Sequence, residues 1–341
     1  MEIFSNKQIA LVTGSAGFIG FHLCKKLLEL GWEVVGIDSF SDYYDVNLKK
    51  SRESILKKYD RYISIKQKIE EPHAISSIFK KYNPEIVVHL AAQAGVRYSI
   101  ENPRVFLESN ISGTFELLEA ARAFPPKHLL MASTSSAYGV QEQKPYFETA
   151  KADQQMSFYA ATKKSTESIS HSYSHLYSLP ITMLRFFTVY GPWGRPDMAL
   201  FKFTKSIISE EPIEIFNFGK MKRDFTYIDD LIESIFLLFS KIPTLKELDV
   251  YAHDSLSSVA PFRVVNIGNS TEVDLMDYVE AIEEALGKKA KKLLRPMQPG
   301  DVPSTLASTK LLFELTKYAP ETPVRKGINS FVVWYRSYYK I

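Results

Sequence analysis

The sequence predicts an α/β fold, a doubly wound parallel sheet with a smaller mixed α/β lobe, on three observations. Short apolar, β-branched runs alternate with longer helical patterns through the first half of the chain. A glycine-rich turn joins the first run to the first helix. The alternation then stops at Gly191-Pro192-Trp193-Gly194-Arg195-Pro196, which neither a helix nor a strand can cross. In order, the expected strands are Ile9–Thr13, Glu33–Asp38, Tyr62–Lys66, 86–90, His128–Thr134 and 181–187, apolar on both faces as the interior strands of a parallel sheet must be. Amphipathic helices fall between them at 18–30, 72–81, 103–123 and 159–177, the third with Pro103 in its first turn. Beyond Tyr190 the pattern is mixed. It gives a helix near 198–209, a strand at 213–217, a helix at 229–239, the strand Phe262–Ile267 and helices near 274–286 and 324–337, while 241–261 has no period and reads as an irregular excursion.

The chain has 341 residues, 45% of them hydrophobic and 24% charged, enough for a sizeable core and unlike disordered, collagenous or coiled-coil sequences. Forty-two Lys and Arg against 39 Asp and Glu leave a net +3, too little and too scattered for a nucleic-acid partner. Cys24 stands alone, so neither an intramolecular disulfide nor a thiolate metal cluster is expected, and a reducing cytoplasm is the expected location. The longest apolar runs fall far short of the roughly 20 residues that span a bilayer, and the short stretch before the first strand does not read as a signal peptide.

Gly14-Ser15-Ala16-Gly17-Phe18-Ile19-Gly20 follows the first strand and opens the first helix. A phosphate pair approaching a helix N-terminus needs bare amides, a turn tolerant of positive φ and close helix–strand packing, and glycine meets all three needs. Asp38, at the end of the second strand, is placed to accept hydrogen bonds from the adenosine ribose hydroxyls. Ser39 and Phe40 follow it with no neighbouring cation to neutralise a 2′-phosphate. The cofactor read from this end is NAD, in a Rossmann-type unit spanning 1–188 with a return around 225–267, and 189–341 forms mainly the substrate lobe.

Tyr159 and Lys163 stand four residues apart on one helix face. A phenol of ordinary pKa is a poor base at neutral pH, but a nearby lysine and the nicotinamide cation favour phenolate, which suits proton removal from an alcohol as hydride leaves. Thr134 ends the fifth strand at the carboxyl edge of the sheet, where doubly wound folds bind ligands, and is placed to share the substrate hydroxyl.

These stretches resemble the extended short-chain dehydrogenases/reductases, and within them the nucleotide-sugar 4-epimerases that act on UDP-glucuronate. The likeness covers nearly the whole chain. Besides the glycine turn and Tyr159 to Lys163, it is carried by Gln93-Ala94-Gly95-Val96-Arg97-Tyr98-Ser99, by the run from Leu184 to Pro192, by Gly194-Arg195-Pro196-Asp197-Met198 and by the run from Arg223 to Asp230. The resemblance implies that Tyr159 is the base, Lys163 its modulator and ribose ligand, and Thr134 the hydroxyl partner. It also implies that Ile69, Leu90, Ala91, Ala92 and Asn110 belong to the cofactor wall, and that Arg97, Arg223 and Asp301 bind the UDP-sugar. One departure stands out: Lys68 occupies the position where the family usually has an adenine-contacting acid.

A 4-keto sugar formed in such a site can take hydride back on its other face, lose water, or, if C6 is a carboxylate, lose carbon dioxide. Related dehydratases and decarboxylases carry an acid just after the threonine; here the residues are Ser135 and Ser136, which cannot readily protonate a leaving hydroxide. Reversible C4 epimerisation through a 4-keto intermediate is therefore expected, with NAD regenerated each cycle. Thr134, Ser135, Ser136 and Thr188 would surround C6 with hydroxyls that suit a carboxylate, and Arg195 is either a further cradle element, a nucleotide contact or a bridge between lobes. The rival readings are a UDP-hexose or UDP-N-acetylhexosamine 4-epimerase, a UDP-glucuronate decarboxylase and a non-catalytic dinucleotide sensor. The family pairs its helices at 103–123 and 159–177 into a homodimer, and Phe106, Phe115 and Tyr173 are each either on the outward face here or part of the core.

Overall fold

The computed structural model describes residues 8–341 except 142, 248, 249 and 252, so the first residues of the expected 1–188 unit and three positions of the 241–261 excursion lie outside the described residues. Along the chain run β1 (Ile9–Thr13), α1 (Phe18–Glu29), β2 (Glu33–Asp38), α2 (Val46–Leu56), β3 (Tyr62–Lys66), α3 (Ala74–Tyr82), β4 (Ile86–His89), α4 (Val96–Glu101), α5 (Pro103–Phe106), α6 (Gly113–Ala123), β5 (His128–Thr134), α7 (Phe158–Tyr177) and β6 (Ile181–Phe186). They are followed by β7 (Thr188–Tyr190), α8 (Ala199–Ile208), β8 (Ile213–Ile215), β9 (Lys222–Tyr227), α9 (Ile228–Leu238), β10 (Phe262–Ile267), β11 (Glu272–Asp274), α10 (Leu275–Leu286), β12 (Lys292–Leu294), α11 (Lys310–Thr316) and α12 (Val324–Tyr339).

Seven strands form one parallel sheet in the order β10-β6-β5-β4-β1-β2-β3. Leu11 of β1 lies opposite Val35 of β2 on one side and Val87 of β4 on the other, so the strand order reverses beside β1 and leaves a crevice at the carboxyl ends. One face is covered by α1, α9 and α11 through Phe21, Leu27, Leu231, Ile235 and Leu311. The other is covered by α3 and α6 through Ile78, Phe79, Leu117 and Leu118. A further core around Phe201, Ile282 and Phe331 holds α8, α10 and α12 together beside the three-stranded sheet β11-β9-β7 and the pair β12-β8.

The structure differs from the sequence reading in three places. Helix α2 was not expected, because its buried face carries Lys49, Arg52 and Glu53 beside Leu48 and Leu56, and so shows no apolar stripe. The helix expected over 103–123 is interrupted by a π-helical turn, Leu107–Ser112. The three-residue strands β7, β11 and β12, β9 in the run from Arg223, and the short helices α4 and α11 also went unread.

The excursion before β10 seals that strand's outer edge. Ser257 N–H donates to the Phe262 carbonyl at 2.9 Å and Val264 N–H to the Ser255 hydroxyl at 2.9 Å, the Ser255 hydroxyl donates in turn to the Val264 carbonyl, and Asp254 pairs with the buried Arg263 at 2.9 Å.

Candidate active site

The crevice widens into a cleft of about 1290 Å³ between the seven-stranded sheet and the smaller sheets. At one end Gly14 takes a left-handed φ of +73°, and a Cβ there would fall 2.9 Å from the Ala91 amide nitrogen. A Cβ on Gly20 would fall 2.1 Å from the Gly14 carbonyl oxygen, so the turn and the first turn of α1 interlock only as glycines. Gly17, Phe18 and Ile19 complete this wall with Leu90, Ala91 and Ala92 opposite. Asp38 is buried at the end of β2, where its carboxylate accepts from the Ala16 amide at 3.0 Å and the Phe40 amide at 2.8 Å and still faces the cleft. Lys49 of α2, distant in sequence, also reaches this wall, its ammonium donating to the Ser41 carbonyl and hydroxyl at 2.9 Å each. Ile69 packs on Gly113 at the cleft edge, and Lys68 beside it is mostly exposed, 4.0 Å from Glu70.

In the middle of the cleft, α7 begins on Ser157, whose hydroxyl accepts from the Ala160 amide at 3.1 Å. This cap fixes Tyr159 and Lys163 one turn apart, both facing the cleft. Burial raises the Tyr159 phenol, opposed by the neighbouring Thr134 hydroxyl and by the positive charge of Arg195. The Thr134 hydroxyl accepts from the Ser136 amide at 3.2 Å, capping the turn Ser135–Tyr138. Burial lowers the Lys163 ammonium to about 8, with Glu167 pulling the other way. Among the described residues Lys163 has no hydrogen-bond acceptor for its ammonium, which leaves a buried donor aimed into the cleft. Beneath it, Glu167 accepts from Ser133 at 2.6 Å and from Arg185 through two nitrogens at 2.8 Å each; against burial, which raises it, these bonds and the Arg185 charge hold the carboxyl at about 2.

The hydroxyls of Ser135, Ser136 and Thr188 line the same part of the cleft and have no protein hydrogen-bond partner among the described residues. Arg195 approaches from the loop after β7, but its guanidinium is gripped by Asp197 at 2.9 and 2.5 Å, and Asp197 in turn accepts from Tyr43 at 3.2 Å. At the far end Arg97 lies 3.5 Å from Asp301 and 4.5 Å from the Phe216 ring, while Arg223 donates to the carbonyls of Lys222 and Pro303.

One sequence assignment sits differently. Asn110 does not face the cleft. It is buried in the π turn, accepting from the Gln93 amide at 2.8 Å and donating to the Gln93 carbonyl at 3.1 Å and the Thr162 hydroxyl at 3.0 Å, so it braces the wall from behind. Phe106 is part of the core and not on the outward face: it is fully buried, between the rings of Tyr98 and Tyr159. Phe115 is exposed, and Tyr173 is half-buried and donates to Glu119 at 2.7 Å. The residues that sequence reading passed over are Tyr43, Lys49 and Arg52. The signal available for the last two was polar residues at helical spacing, 49, 52 and 53, in step with Leu48 and Leu56.

The glycine turn, the ribose-facing carboxylate and the unpartnered Lys163 ammonium fit NAD, and with a tyrosine and a threonine at the same carboxyl edge they define a nicotinamide-dinucleotide enzyme. Residues 10–252 match the NAD dependent epimerase/dehydratase family, and the chain belongs to it. It is 52% identical over 331 residues to Protein CapI of Staphylococcus aureus, covering 97% of this chain and 99% of that one. A probable UDP-glucuronate 4-epimerase of Rhizobium meliloti is 50% identical over 333 residues, 97% of each chain. Among solved structures, the UDP-glucuronic acid 4-epimerase of Bacillus cereus in complex with UDP-glucuronic acid and NAD superposes with a TM-score of 0.86 at 32% identity, covering 97% of this chain and all of that one.

Proposed function

We propose that this protein reversibly epimerises UDP-glucuronate at C4 to UDP-galacturonate. The observation that carries the reading is the set of unpartnered hydroxyls at Ser135, Ser136 and Thr188 in the same part of the cleft as Tyr159 and Thr134. NAD, bound along Gly14 to Gly20, Asp38 and Lys163, supplies hydride acceptance and return. Tyr159 removes the proton of the C4 hydroxyl and later returns it, and Thr134 holds that oxygen during both steps. The hydroxyls hold the C6 carboxylate, and this is chemistry as well as binding: a 4-keto uronic acid is a β-keto acid, and a carboxylate kept from aligning with the ketone does not leave as carbon dioxide. No acid follows Thr134 to protonate a leaving hydroxide, which favours epimerisation over elimination. Arg97, Arg223 and Asp301 take the UDP.

The second reading is a neutral UDP-hexose, and one observation favours it: Arg195, the nearby cation, is already committed to Asp197, leaving only neutral hydroxyls for C6. Incubation with UDP-glucuronate, UDP-glucose and UDP-N-acetylglucosamine, with products resolved by NMR, decides between them. Conversion of UDP-glucuronate alone is the expected result; conversion of a neutral sugar in its place overturns the proposal. The enzyme is proposed to work as a homodimer in the cytoplasm. Exposed Leu107, Phe115, Leu176 and Tyr177 around the ends of α6 and α7 support the dimer, and the buried free thiol of Cys24 suits a reducing compartment.

A further inference from the structure

Arg52 of α2 is fully buried, and among the described residues no carboxylate pairs with it. Neutral acceptors from three separate segments hold its guanidinium. Nη1 donates to the Ala16 carbonyl of the glycine turn at 2.9 Å and to the Tyr44 hydroxyl at 2.9 Å. Nη2 donates to the Trp193 carbonyl at 2.6 Å and reaches the Gly194 carbonyl at 3.4 Å, while Nε is buried without a hydrogen-bond partner. A buried cation with no counter-ion is costly, and an apolar side chain would fill the same space at lower cost if packing were all that mattered.

The two backbone segments joined by the guanidinium serve the dinucleotide end and the middle of the cleft. Ala16 lies between Gly14 and Gly17 in the dinucleotide turn; Trp193 and Gly194 immediately precede Arg195, whose charge acts on the Tyr159 phenol. A second link runs in parallel. The neutral ring of His22 on α1 donates through Nε2 to the Pro192 carbonyl at 2.9 Å, and the Phe21 ring packs on Trp193 at 5.4 Å. A shift of either segment must therefore break hydrogen bonds to Arg52 or carry the other segment with it.

We propose that Arg52 is a positioning residue that couples the dinucleotide end of the cleft to its middle, so that the dinucleotide and the nucleotide sugar each bind more tightly when the other is present. This rests on the reading of the cleft as a UDP-sugar site. Coupling of binding free energies is reciprocal, so it can be measured from either ligand. Equilibrium dialysis of the full-length protein gives the NAD affinity with and without saturating UDP, a probe that lacks the reacting sugar. In the wild type UDP should tighten NAD by about fivefold or more, and in Arg52→Met the ratio should fall to about one. A general loss of stability lowers both affinities and cancels in the ratio. Arg52→Lys keeps the charge but has a single nitrogen that cannot span both segments; it should lose the coupling too, and it serves where Arg52→Met does not fold by circular dichroism. A ratio that survives in a folded variant, or a wild-type ratio of one, overturns the proposal. Direct titration of UDP onto NAD-saturated wild type separates those outcomes from a failure of the UDP-sugar reading, since absence of UDP binding there removes both.

Discussion

Tyr159 reaches the cleft with its phenol held above its ordinary pKa by burial, and Thr134 and Arg195 are the groups that draw it back toward ionisation. Tyr159→Phe removes only the ionisable oxygen, so kcat should fall by about 10² to 10⁴-fold while the NAD content of the purified protein, measured after denaturation, stays unchanged. The C6 hydroxyls make a sharper test of substrate. Ser136→Ala and Thr188→Ala should each weaken UDP-glucuronate by about 1.5 to 3 kcal/mol relative to UDP-glucose in calorimetric titrations, and should leak a decarboxylated 4-keto pentose nucleotide visible by NMR. Equal losses on both sugars would make these hydroxyls scaffolding. Away from the cleft, burial lifts the Glu148 carboxyl to about 7, against a hydrogen bond from the Asn266 amide and the Arg185 charge, and one of its oxygens has no partner. The folded protein thus keeps a proton that the unfolded chain has already released, so stability falls as pH rises from the ordinary carboxylate range through about 7. Glu148→Gln should raise Tm at pH 8 and leave it nearly unchanged at pH 5, where the native carboxyl is already neutral. Motifs that act locally, the glycine turn and the tyrosine–lysine spacing, were legible in the sequence because backbone clearance and helical pitch act over a few residues. The tie from Tyr43 to Asp197, which backs the grip of Asp197 on Arg195, was not, since it joins segments 154 residues apart.

The two helices read least well explain why. Helix α2 turns Lys49, Arg52 and Glu53 inward, so its pattern imitates a solvated segment although Arg52 is bonded to two loops. The stretch 103–123 reads as one continuous helix because its apolar spacing is regular, yet the chain widens at Leu107–Ser112. What drives the widening is polar: Asn110 turns inward to satisfy both backbone groups of Gln93 and the Thr162 hydroxyl. Asn110→Ala strands the buried Gln93 amide and should cost on the order of 1 to 3 kcal/mol in denaturant unfolding. It should also loosen the cofactor wall, seen as faster loss of NAD on gel filtration.

At the scale of the molecule, the strand–helix alternation made the parallel sheet legible, because its buried strands are continuously apolar. The smaller sheets were legible only at β8: β7, β11 and β12, with three residues each, carry no period, and the six residues of β9 mix charged and aromatic side chains. The exposed Phe115, Leu176 and Tyr177 predict a dimer mass in light scattering at micromolar concentration, and Phe115→Glu should shift it toward the monomer. The serine-lined excursion over β10 bears on the same question from the opposite side. The outward amide of Val264 and the outward carbonyls of Phe262 and Val264 are already taken by Ser255 and Ser257. A strand from a neighbouring copy finds no unpaired ladder there to extend. The excursion thus closes that margin of the sheet to a strand from another copy in a crowded solution, and leaves the exposed helical faces as the surfaces open to contact between copies.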